Sequence, residues 1–61
     1  MDRAQALKAL PDTYAIALRM REEGLDPDAV ARVLGVEREA VGPLLTLAEA
    51  KLAGLMETQS A

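Results

Sequence analysis

The chain contains no cysteine, histidine, tryptophan or phenylalanine, and a single tyrosine, Tyr14. Without cysteine, disulfide and thiolate metal staples are excluded. Without histidine, the usual general base and the commonest nitrogen metal ligand are missing. Aromatic residues make up 2% of the chain against 51% apolar residues, so any core must be built from Ala, Val, Leu, Ile and Met. No apolar run approaches the roughly 20 residues that span a membrane. No charged start followed by an apolar stretch marks a signal peptide. These absences point to a soluble, cytoplasmic protein. There is no glycine-rich phosphate loop and no nucleophile placed beside a base, so the chain does not read as an enzyme. It calls for no cofactor, no metal and no small-molecule substrate. The acids Glu22, Glu23, Asp26 and Asp28 gather around one loop, but their spacing lacks the ligand order of a calcium loop. They read as helix caps and solvated loop acids.

Sixty-one residues are enough for one small domain. A chain of this length buries only about 60% of its unfolded surface, and an aromatic-poor core often depends on a partner or a second copy. A homodimer or a protein partner is therefore expected. The net charge of −3 is unevenly spread. Residues 1 to 21 carry four cations against two acids, a balance of +2, while residues 22 to 61 carry three cations against eight acids, a balance of −5.

What is present is helical periodicity throughout, with no strand signal. Asp2 can cap a short helix ending before Pro11, which disfavours helix at Leu10. Asp12 can cap a second, Thr13 to Glu23, whose apolar residues form two stripes: Tyr14, Ala17 and Leu18, then Ile16 and Met20. A helix apolar over so much of its girth is central to a bundle or touches a partner. Asp26-Pro27 is a strong helix start. Ala29, Val30, Val33 and Leu34 follow at helical spacing, and Gly35 stands where a left-handed residue ends a helix. Val41, Leu45, Ala48, Leu52 and Leu55 mark a last helix spanning about 37 to 57. The expected architecture is an all-α bundle of three to four helices, residues 1–57, containing a helix-turn-helix and a long C-terminal helix. Residues 58–61 are expected to fray.

Leu10-Pro11, Tyr14, Gly24-Leu25, Ala31, Leu34-Gly35-Val36, Ala40-Val41 and Leu45 together resemble region 4 of bacterial sigma factors of the extracytoplasmic-function type. The resemblance runs from about Ala6 to Leu55. It implies a transcription setting, with the second helix of the motif reading DNA in the major groove and the module docking on RNA polymerase.

That second helix departs from the pattern. Positions usually occupied by basic and polar side chains hold Gly42, Pro43, Leu44, Thr46, Leu47 and Glu49. Arg38, Thr46 and Lys51 are the residual candidates for DNA contact. Ile16, Met20, Ala40, Leu44 and Leu47 are the candidates for a protein interface. Pro43 within a helix costs about 3 kcal/mol, and Gly42 about 1 kcal/mol more, so a kink or a restart of the helix at Pro43 is expected. The sequence therefore favours protein contact in a transcription setting, with weak DNA binding. The alternative is a DNA-binding regulator that uses the helix 37–57.

Overall fold

The computed structural model describes residues 2–60, with side chains as far as Glu57. It is all-α, with four helices: α1 (Arg3–Ala9), α2 (Asp12–Glu22), α3 (Pro27–Leu34) and α4 (Arg38–Ser60). Among the described residues there is no strand. The expectation of a frayed tail at 58–61 lies outside the residues described in full.

The helix boundaries follow local chemistry. Asp2 accepts from the Gln5 N–H at 2.9 Å while the Gln5 side chain accepts from the Asp2 N–H at 3.3 Å, a reciprocal capping box that starts α1. Asp26 accepts from the Ala29 N–H at 2.9 Å and Pro27 opens α3. The expected Asp12 cap is corrected: Asp12 is already inside α2, Pro11 occupies the cap position, and no side chain caps that end. Pro11 has the φ of −54° that its ring imposes, which lets the helix begin one residue early.

Two glycines end helices in the left-handed region, Gly24 at φ +85° and Gly35 at φ +71°. In both cases the following N–H folds back to a carbonyl five residues earlier: Leu25 to Met20 at 3.1 Å and Val36 to Ala31 at 3.0 Å. These bonds satisfy carbonyls that would otherwise be orphaned at a helix end. A Cβ built on Gly35 meets nothing within 4 Å, so an added methyl would cost only backbone strain. Gly35→Ala is expected to lose about 1–2 kcal/mol. Thermal unfolding would register this as a fall of roughly 4–8 °C per kcal/mol. Gly42 is helical and equally open, so Gly42→Ala should move the midpoint the other way, by about 0.5–1 kcal/mol. Equal shifts in one direction would contradict these two backbone assignments.

Helix α4 is the spine. Its 23 residues span about 34 Å at 1.5 Å per residue, close to the 37 Å long dimension of the molecule. The other three helices pack against it. Two clusters make the core. The first joins Ala6 and Leu10 of the α1 end, Leu18 of α2, and Ala48 and Leu52 of α4. The second joins Ala17 and Met20 of α2, Val30 and Ala31 of α3, and Val41 of α4. Leu45 packs against both. Helix α4 runs unbroken through Pro43, so the expected restart of the helix there does not occur. Val41 on one side of the proline and Ala48 on the other are both buried, and burial on that scale outweighs a local backbone penalty. None of the helices is long and apolar enough to cross a membrane, among the described residues.

Candidate functional site

Helices α3 and α4 are joined by a short turn, Gly35, Val36 and Glu37, in a helix-turn-helix arrangement that leaves the outer face of α4 open. Its inner stripe, Val41, Leu45, Ala48 and Leu52, is committed to the core. The question is what chemistry remains outside.

The three candidate DNA contacts do not form one basic surface. Arg38 is engaged by Asp28 of α3, with Nε 2.8 Å from the carboxylate Oδ1. Lys51 holds its ammonium 5.6 Å from the centroid of the Tyr14 ring, a cation–π contact with α2. Thr46 is exposed between them. Thirteen residues separate Arg38 from Lys51, about 20 Å along the axis and about 140° around it. Glu49, at a position where the family pattern has a basic or polar side chain, is engaged within the domain. It pairs with Arg21 of α2 and lies 3.9 Å from Arg3 of α1, which in turn pairs with Glu22. This four-member chain ties three helices together at residues each about 40% exposed, where individual pairs contribute no more than about 1 kcal/mol.

The structure divides the candidate interface residues. Met20 is corrected: at 8% exposure it belongs to the second core cluster, because that side of α2 faces Val30 and Ala31 of α3. Ile16, one turn earlier on the same side of α2 and 41% exposed, stays at the surface beyond the reach of α3, over a shallow depression lined with Arg19, Met20 and Glu23. Leu44 is half-buried and packs on the second cluster, whereas Leu47 is 47% exposed. Ala40 is half-buried. Thus Leu44 and Leu47 are not an equivalent pair: one supports the fold and the other projects from it. The acids around the α2–α3 loop are mostly engaged as well, Glu22 by Arg3, Asp26 as a cap and Asp28 by Arg38. A groove of about 410 Å³ between the α1–α2 corner and α4 is lined by Ala9, Leu10, Pro11, Gly54, Leu55 and one ionisable group, Lys51.

One feature of α4 escaped the residue-type reading. Glu39, Pro43, Thr46, Ala50, Ala53 and Glu57 are all exposed. They recur at alternating steps of four and three, which places them in a single line along the helix. The spacing was available in the sequence, but small residues between two acids carry no chemical signature until the opposite face is known to be core. The chain matches no protein-family profile, no curated protein and no solved structure.

Proposed function

We propose that this domain is a transcription-associated helix-turn-helix module resembling sigma factor region 4, acting mainly through protein–protein contact, with itself or with the transcription machinery. The observation that carries this reading is the outer face of α4. From Gly42 to Ala50 its exposed residues are Gly42, Pro43, Thr46, Leu47 and Ala50, without a single charge. The flanking cations, Arg38 and Lys51, are engaged by Asp28 and Tyr14. A groove-reading helix needs cations for phosphates and polar groups for base edges; Thr46 alone fits that requirement. An exposed leucine on an uncharged helix face suits a protein surface better.

The DNA-reading alternative rests on the helix-turn-helix geometry and is separated from the first by one measurement. With few phosphate counterions to release, binding to duplex DNA at about 0.15 M salt should be no tighter than roughly 10⁻⁴ M and indifferent to sequence. Fluorescence anisotropy with labelled duplexes reads this directly. Sub-micromolar, sequence-selective binding would overturn the protein-contact reading in favour of the alternative.

A further inference from the structure

Resting on the protein-contact reading, we infer that the cleft between α1 and α2 receives a short acidic segment of another protein, with its carboxylates on Lys8 and Arg19 and an apolar side chain between them. Helices α1 and α2 each pack on α4 more closely than on each other, which leaves an opening of about 340 Å³ between them. It is lined by Ala4, Leu7 and Lys8 of α1 and by Arg19 and Glu22 of α2. Pockets for drug-sized ligands start at about this size, so the cleft takes individual side chains of a segment and not a whole helix. Its apolar lining is Ala4 and the half-buried Leu7, extended by the stems of the two cations.

The charges select the occupant. Of the seven lysines and arginines, four are engaged within the domain: Arg3, Arg21 and Arg38 by acids, and Lys51 by the Tyr14 ring. Among the described residues Lys8, Arg19 and Arg32 have no ion pair. Two of these three, from different helices, line this one cleft. Glu22, the acid of the lining, is already paired with Arg3, and Glu23 lines the neighbouring depression instead. The cleft thus holds two uncompensated cations beside apolar surface. The planar fork of Arg19 matches a carboxylate, and Lys8 supplies a second point charge. A polyanion such as duplex DNA would run on from the cleft over a domain whose residues 22 to 61 balance to −5; a short segment does not. A second copy docked cleft to cleft about a two-fold axis would set cations against cations. A copy offering any other face would make a head-to-tail contact that propagates rather than closing into a dimer.

The test uses the full chain and two short labelled peptides, one alternating glutamate and leucine, the other with glutamine in place of glutamate. The glutamate peptide is expected to bind, read by anisotropy, more weakly as salt rises, and the glutamine peptide is not. Lys8→Glu with Arg19→Glu should weaken the glutamate peptide about tenfold, since two surface pairs turn from attraction to repulsion. Lys8→Gln with Arg19→Gln should fall between. Both side chains are exposed, and circular dichroism checks that each variant is folded. Arg32→Glu changes the net charge as much as Arg19→Glu alone but lies outside the cleft, so it should weaken the peptide clearly less than Arg19→Glu does. Failure of the glutamate peptide to bind, equal binding of both peptides, or equal losses from Arg19→Glu and Arg32→Glu would overturn the inference. So would a concentration-dependent dimer in light scattering that the double reversal abolishes. With duplex DNA binding weak, each of these leaves the protein-contact reading standing. Sub-micromolar, sequence-selective duplex binding without peptide binding would remove both.

Discussion

Leu18→Ala is expected to leave the chain largely unfolded at 25 °C. Leu18 is completely buried and is among the largest side chains that are. It sits where α1, α2 and α4 meet, against Ala6, Leu10, Ala48 and Leu52. Two of those four neighbours are alanines, with no side-chain length to swing into a void, so the cavity would stay open. Leucine-to-alanine changes at such sites cost about 2–5 kcal/mol. A single core in a domain this small supplies only about 3–5 kcal/mol in total. The loss is therefore of the same size as the whole stability. Far-UV circular dichroism during thermal unfolding should show little cooperative transition for this variant, and a normal one for Leu47→Ala, whose side chain is 47% exposed. A wild-type melting temperature for Leu18→Ala would mean that the first cluster does not hold α1 and α2 on α4.

The contrast between these two leucines marks what the sequence makes legible. Helix α3 could be read to the residue, because Asp26-Pro27 and Gly35 punctuate it and each acts through its own backbone. The buried stripe of α4 could be read because its spacing is that of one helix face. What periodicity does not contain is the location of the neighbouring helices. Ile16 and Met20 lie four apart on α2 and look alike in sequence, yet Met20 is buried in the cluster with α3 and Ile16 is left 41% exposed. Leu44 and Leu47 differ in the same way. The ion pairs were invisible for a related reason: Arg3 and Glu22 are 19 residues apart, and Arg21 and Glu49 are 28 apart. No local rule connects them, so Glu49 reads as a groove-facing acid until α1 and α2 are placed beside it. For the candidate site, the shortage of cations on α4 could be read from composition and spacing. The engagement of the two cations that remain could not, since Asp28 and Tyr14 come from other helices.

Pro43→Ala is expected to stabilise the domain, by as much as about 3 kcal/mol. Helix α4 begins at Arg38, so Pro43 lies in its second turn. A residue there would donate its N–H to the carbonyl of Glu39; proline has no N–H, and its ring crowds that same carbonyl. The side chain of Pro43 is exposed, so packing by the ring itself offsets little of the penalty. What holds the helix together across the proline is the buried stripe on the far side, Val41, Leu45 and Ala48. Alanine keeps that stripe, restores the bond and has the highest helix propensity. At roughly 4–8 °C per kcal/mol for a domain of this size, the melting temperature should rise by about 10 °C or more. In urea the midpoint should rise with an unchanged slope, since the surface exposed on unfolding is nearly the same. A midpoint that stays put or falls would show that the first turn of α4 is not helical through Glu39, leaving Pro43 at a helix start where it costs little.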